Sequence, residues 1–521
     1  MRQRGALSAG NNNYLNFIRI YVKRPCEDRN VGQGLFLCLF IKFVCLAGGG
    51  HSWYNSRRML FGKERMEKMK SKKSLTAAVL LGLGVLLTGA QASQAEAAAV
   101  QLPVVEVVYE NMDESTINEV KYLLPELKNE TVNVEKLSKQ IMMAKDAKAI
   151  QLSTDFKKQP DGKFKAVVTA ERLKNESVTI GTSNTGNQYT GEWRANVGYT
   201  NTDVSRRGDT FGVTYATSPN HLGDVHQAAA FYKWLIPEQG GSAYISALYS
   251  DSNSDMGNIY SIGDIDLRSE GTYKDFGIHY QQNFKYTSAR KQVLDVGFNY
   301  KNFDGQNDLY IGGNKFNIGD FDLTEGVVSA TYYDVLRSKN QSFSYNVGVA
   351  HNMTGDSAAY TRYRGNGVQV KDNFTIFRAG VNYQYRTNSD WVFGARVNGQ
   401  YTKDDLTNLE QIGAGGMNSV RGFKERIASG DNGVLGSVEL YTPEFAPNQR
   451  FVLFTDMASL GNNTYRLGER SRKLSSWGVG YRFIDQDNLN ISLDYAMPID
   501  DSDIDMGKYG RRWNLNMTYR F

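Results

Sequence analysis

From Val178 to Phe521 the chain alternates with a period of two, and this constrains its fold more than any other feature. In "LDVGFNY", Leu294, Val296, Phe298 and Tyr300 fall on one face and Asp295, Gly297 and Asn299 on the other. The runs Trp193–Tyr199, Phe343–Val349, Phe377–Tyr385, Trp477–Phe483 and Leu489–Tyr495 behave the same way. Period two is the signature of a strand with two unlike faces. About sixteen such runs are separated by turn-rich or charged loops such as "DSNSDMGN". One face is apolar with aromatic ends, and the other is small, polar or charged. A soluble sandwich needs far fewer residues. Roughly 340 residues over sixteen strands leave about 21 per strand and loop, which suits a transmembrane antiparallel β-barrel. Closure also removes the strand edges that would otherwise pair with other chains.

The last nine residues, "WNLNMTYRF", place Trp513, Leu515, Met517, Tyr519 and Phe521 on one face. This resembles the C-terminal signature of outer-membrane barrels in diderm bacteria, with Trp513, Tyr519 and Phe521 as the signal that the barrel-assembly machinery reads. Composition agrees, with 31 tyrosines and 51 glycines but only 9 prolines. The net charge of +5 over 521 residues offers no concentrated basic patch, so nucleic acid is not an expected partner. All three cysteines, Cys26, Cys38 and Cys45, precede the alternating region. A cysteine-free body suits export through an oxidising compartment.

"MKSKKSLTAAVLLGLGVLLTGAQASQAEAAA" begins at Met69 and predicts a secretory signal peptide over 69–97. Lys70, Lys72 and Lys73 form its basic start, Leu75–Leu87 its apolar stretch, and Ala90-Gln91-Ala92 and Ser93-Gln94-Ala95 its cleavage sites. The apolar stretch is too short to span a bilayer as a helix. Residues 1–68 are expected to be a non-native upstream extension, with translation starting at Met66 or Met69.

Residues 101–174 have another style. "VVEVVYENM" predicts a strand, and "DESTINEVKYLLPEL" places Ile117, Val120, Leu123 and Leu124 at helical spacing. "NVEKLSKQIMMAKD" puts Val134, Leu137 and Ile141 on one helical face, with Asn133 as its N-cap. "AIQLSTDF" and "KAVVTAERL" predict strands around the turn Gln159-Pro160-Asp161-Gly162. The order β-α-α-β-β defines a small α+β module with sheet edges suited to adding an extended peptide as a strand.

Between the expected strands lies "GAGGMNSVRGFKERIASGDNG", Gly413–Gly433, in which Arg421 is flanked by the apolar Val420 and Phe423. A signal peptide, a β-α-α-β-β module and a sixteen-strand barrel together resemble the BamA-like superfamily of outer-membrane assembly factors and two-partner-secretion transporters. Its periplasmic modules are called POTRA domains. Val420-Arg421-Gly422-Phe423 is similar to the superfamily's element at the tip of a loop folded into the barrel lumen. "SGDNGVLGSVELYTPEF", with Gly430, Asp431, Gly433 and Glu439, and "SRRGDTFGVTY", with Gly208 and Asp209, resemble the haemolysin secretion/activation branch of ShlB/FhaC/HecB type.

The resemblance implies a partner for Arg421 in a Phe-x-Asp-x-Gly strand motif, here Phe454-Thr455-Asp456-Met457-Ala458. Asp456 is the expected salt-bridge partner, and Ala458 departs from the motif's glycine. A guanidinium in a narrow lumen needs a carboxylate, best met in bidentate geometry. The resemblance places a single POTRA domain at 101–174 and the barrel at 176–521. It lacks room for the plug helix and second module usual in that branch.

The function expected from the resemblance is capture of an unfolded, haemolysin- or haemagglutinin-like exoprotein in the periplasm and its translocation through the barrel. The alternative is an assembly factor that inserts other barrels. Expected partners are the secreted client, the assembly machinery and outer-membrane lipid. No cofactor, metal site or catalytic residue is expected: the five histidines are scattered, and there is no G-x-S-x-G elbow or P-loop. Asp500, Asp501, Asp503 and Asp505 are read as a solvated loop.

Overall fold

The structure, a computed structural model, describes residues 100–521 except 188, 259–264, 312–313, 356–369, 465–470, 486–487, 501–505 and 507–509. The expected upstream extension, the signal peptide, and Asp501, Asp503 and Asp505 lie outside the described residues. The chain begins with β1 (Gln101–Glu110), α1 (Glu114–Leu123), a 3₁₀ turn (Pro125–Lys128), β2 (Thr131–Asn133), α2 (Val134–Ala147), β3 (Ile150–Lys158) and β4 (Phe164–Arg172). The sheet order is β2-β1-β4-β3, with β1 and β4 parallel. Asp113 caps α1 by accepting from Thr116 N at 2.9 Å, and Asn133 caps α2 by accepting from Glu135 N and Lys136 N. Val120 and Leu123 from α1 and Leu137 and Met143 from α2 are buried against Val168 and Ile150 of the sheet. The sequence reading missed β2, because three residues are too few to show alternation.

Sixteen antiparallel strands then close into a barrel, as the alternation predicts. They are β5 (Glu176–Ser183), β6 (Arg194–Asn201), β7 (Thr210–Thr217), β8 (Val225–Ile236), β9 (Gly241–Asn258), β10 (Ile265–Tyr286), β11 (Arg290–Ile311) and β12 (Asn314–Arg337), followed by eight more. Next come β13 (Gln341–Asn352), β14 (Thr375–Arg386) and β15 (Val392–Tyr401). The small strands β16 (Ile412–Ala414), β17 (Gly422–Phe423) and β18 (Ala428–Gly430) belong to a long loop. Then follow β19 (Asn432–Tyr441), β20 (Gln449–Gly461), β21 (Ser471–Ile484), β22 (Leu489–Asp500), the short β23 (Gly510–Arg511) and β24 (Trp513–Arg520). β24 pairs with β5 over five positions, and Phe521 N donates to Val178 O at 2.9 Å, so the last residue helps close the cylinder.

Alternation sorts the faces. Val296, Phe298 and Tyr300 point outward while Asp295 is buried inside. Trp477 and Val479 point outward beside inward Gly478 and Gly480. β9 to β12 have 18, 22, 22 and 24 residues, well beyond the roughly ten that a bilayer requires, and they rise on one side of the barrel.

The α+β module packs against the turns at one barrel mouth. Leu235 and Tyr286 enter its apolar core. Tyr122 OH donates to Leu235 O at 2.9 Å, Lys139 Nζ to Asn283 O at 3.0 Å, and Lys291 pairs with Asp146 at 3.1 Å. Arg172 bridges Glu119 of α1 at 2.7 Å and Asp203 of the β6–β7 turn at 3.3 Å. Burial pushes both carboxyls above their ordinary range, despite that arginine. Gly208 sits in this junction at φ +67, where a Cβ would lie 3.0 Å from Leu235 and 3.2 Å from Leu123. Its neighbour Asp209 is buried and accepts from Ser205 N at 2.9 Å and from Tyr232 OH.

Candidate functional site

The loop between β15 and β19, residues 402–431, folds into the lumen. β16 and β18 pair with each other within it, and β17 at its tip pairs with β23. Val420 and Phe423 are fully buried with Ala414, Ala428, Leu460 and Leu474. The two hydrophobes beside Arg421 therefore carry the tip into an apolar cluster on the wall. Ala458 belongs to the same cluster. Where the resemblance expected a glycine, the alanine methyl packs against the loop.

Arg421 is 4% exposed and faces a ring of acceptors. Its Nε donates to Asp456 Oδ2 at 2.7 Å and its Nη2 to Asp456 Oδ1 at 2.8 Å, a bidentate pair. The Arg421 backbone N also donates to Asp456 Oδ2, at 3.1 Å. Nη2 lies 2.9 Å from Glu439 Oε1, and Nη1 3.5 Å from Asp494 Oδ2. The guanidinium carbon stands 3.4 Å from the centre of the Phe454 ring, a cation–π contact. Gly422 turns the chain at φ +96, and a Cβ there would press on Pro498 and Ala496 at 3.3 and 3.4 Å.

Two strand glycines make room for this arrangement. A Cβ at Gly478 would stand 2.4 Å from Phe454 Cζ. One at Gly480 would stand 1.9 Å from Asp494 Oδ1 and 2.9 Å from Arg482 Nη1. Arg482 holds Asp494 from behind at 2.7 and 3.0 Å. The sequence reading assigned no role to Asp494, Arg482 or Ser437, whose hydroxyl donates to Asp456 Oδ1 at 2.7 Å. A charge in the inward phase of "WGVGYRF" and of "LNISLDY" was the available signal. Alternation alone does not give the register that joins them.

Gly430 and Asp431 lie at the base of the loop rather than at its tip. Asp431 is fully buried and accepts from Leu406 N at 3.0 Å, Gln411 Nε2 at 2.9 Å and Asn463 N at 2.9 Å. Gly430 lets the loop pass within contact of Gly461, and Gly433 faces Leu460 and Ile412. Glu439 joins the Arg421 site directly. Trp513, Tyr519 and Phe521 point to the outer face instead, exposed by 56%, 39% and 55%, with Trp513 on the strand paired beside Asp494. Trp513 packs on Tyr495, and Phe521 meets Tyr519 edge-on. Among the described residues, no three His, Cys, Asp or Glu side chains are placed to hold a metal ion.

A closed sixteen-stranded barrel with a lipid-facing aromatic surface defines an outer-membrane protein. The family model for "Haemolysin secretion/activation protein ShlB/FhaC/HecB" matches residues 162–483, and the chain belongs to that family, one of secretion proteins rather than enzymes. The heme/hemopexin transporter protein HuxB of Haemophilus influenzae is 25% identical over 353 residues, 66% of this chain and 60% of that protein. The chain thus spans 60% of the length of that relative. CdiB from Escherichia coli has the same fold, with a TM-score of 0.67 at 16% identity over 81% of this chain and 76% of that one. CdiB from Acinetobacter baumannii matches with a TM-score of 0.62 at 16% identity, over 81% and 74%.

Proposed function

We propose that this chain is the outer-membrane half of a two-partner secretion pair. Its α+β module, read as a single POTRA domain, captures an unfolded exoprotein in the periplasm by adding a client segment to a sheet edge. Support comes from the sheet's outermost strand, β2, which covers only three residues beside the ten of β1. The client then threads the barrel, and the 402–431 loop gives way. Folding of the client outside the cell supplies direction. Barrel-assembly machinery is the partner in biogenesis, reading Trp513, Tyr519 and Phe521, and lipid surrounds the aromatic surface.

The observation that carries this reading is Arg421 held inside the lumen by Asp456, in a barrel with a module docked at one mouth. HuxB is named for haem and hemopexin. A client that binds either is therefore the first to seek. The test is comparative proteomics of supernatant and outer membrane, with and without the protein. Loss of one large β-rich exoprotein, with other barrels unchanged, is expected. Arg421→Ala, at normal barrel levels, should then impair export of that client.

A second reading, insertion of other barrels through an openable seam, is favoured by the β24–β5 closure, which pairs only five positions. Loss of many barrels with no single missing secreted protein would select it.

A further inference from the structure

The lumen loop has a second attachment on the wall opposite its tip. Its stem, residues 402–411, lies against β11, β12 and β14. Glu410 is 3% exposed and accepts from Lys301 of β11 and, at 2.6 Å, from Arg378 Nη2 of β14. Thr407 Oγ1 donates to Glu325 Oε1 of β12 at 2.7 Å. Leu406 is fully buried in an apolar cluster with Phe303, Leu323, Val327, Phe374 and Ile376.

Glu325 is anomalous in this setting. It is 0% exposed, and its Oε2 has no hydrogen-bond donor. Strand register aligns Asp275, Lys301 and Glu325 in one row across β10, β11 and β12. Lys301 stands between two acids in that row, yet its ammonium goes to Glu410. Arg378 goes there too. Asp275 is met by neutral donors, Asn299 Nδ2 at 2.8 Å and Tyr273 OH at 3.1 Å. Arg426, further along the loop, donates to the carbonyls of Asn408 and Gln411 at 2.7 Å each. Three carboxyl groups thus share two cations, and neither cation contacts Glu325. A dry carboxylate with no cation in contact, the Glu410 carboxylate as a neighbour and an orphan oxygen is strongly disfavoured, and such a group takes up a proton instead.

We propose that Glu325 is a proton-binding site that holds the stem of the lumen loop to the wall. With the stem docked, its carboxyl is neutral and accepts from Thr407. When the stem lifts and water enters, it ionises and releases one proton to solvent. Docking is therefore strongest below the ordinary glutamate range, where the lifted residue is also protonated, and weakens as pH rises from there to the titration of the docked Glu325. The site stands whether or not the chain secretes a client.

The test uses the full chain in detergent or lipid. Infrared spectra at neutral pH should show the carbonyl band of a buried protonated carboxyl, and that band should be lost in Glu325→Gln. Amide exchange of residues 403–411, corrected for intrinsic base catalysis, should rise with pH in the wild type and stay flat in Glu325→Gln. Identical carboxyl bands in wild type and variant would overturn the proposal, and so would equal pH dependence of stem exchange. If Glu325→Gln fails to assemble, the wild type decides alone. A protonated-carboxyl band at neutral pH, with stem protection that falls as pH rises toward the titration of that band, supports the site, and absence of the band at neutral pH refutes it.

Discussion

Arg421 and Asp456, thirty-five residues apart, meet through two side-chain hydrogen bonds of 2.7 and 2.8 Å and a third from the Arg421 backbone at 3.1 Å. The aspartate therefore fixes both the guanidinium and the turn that presents it. Removing one partner of such a buried pair costs about 3–5 kcal/mol, because the other charge is left uncompensated. Asp456→Ala should sit at the low end, since Glu439 and Asp494 still face Arg421. Arg421→Lys should keep the charge and lose the bidentate geometry. Thermal unfolding of the purified barrel and proteolysis at residues 415–427 measure both. A loop as resistant in Asp456→Ala as in the wild type would show that the pair does not anchor it.

Gly478 tests the cradle without removing a charge. Gly478→Ala places a methyl where the Phe454 ring now lies and against Tyr495 O at 2.2 Å. Overpacking of this kind costs about 1–3 kcal/mol. The ring should leave Arg421, and loop proteolysis should accelerate although every ion pair remains in place. Unchanged proteolysis would place the ring contact outside the anchor.

The module junction should respond to acid. Glu119 and Asp203 bind protons at higher pH when docked than when free, because burial raises both. Docking should therefore tighten as pH falls from neutral through their raised values toward the ordinary carboxylate range, and relax as it rises. Hydrogen exchange in α1 at several pH values reads this out. Glu119→Gln should flatten the response, and an α1 that grows more protected with rising pH would contradict the sign.

Deleting Phe521 removes its backbone bond to Val178 and its ring from Tyr519. Fewer heat-modifiable barrels should reach the outer membrane, while Phe521→Tyr should restore them. Normal levels after the deletion would dismiss the terminal aromatic as an assembly signal.

The barrel was legible because alternation and closure are properties of local sequence and of bilayer physics. Asp456 was reached through its resemblance to a motif, and Asp494 and Arg482 were not. Their pairing depends on the register of β21 against β22, which the turn and the packed face set together. The role of Ala458 was also hidden. A missing glycine reads as a defect until the methyl is seen among Val420, Phe423 and Leu460. β2 was lost for want of length.

The anchor inside the lumen has a bearing on permeability. The outer membrane excludes bulky and toxic solutes, and a wide barrel would breach it if its loop wandered. Each 1.4 kcal/mol is a tenfold change in population. A loop held by about 5 kcal/mol in all would be displaced in roughly one molecule in several thousand. Loss of about 3 kcal/mol from such a total, the low end of the cost of breaking a buried pair, would raise that fraction to a few per cent. Leakage, measured as sensitivity to large antibiotics, thus sets a lower bound on how firmly Arg421 must be held, independent of anything that passes through by design.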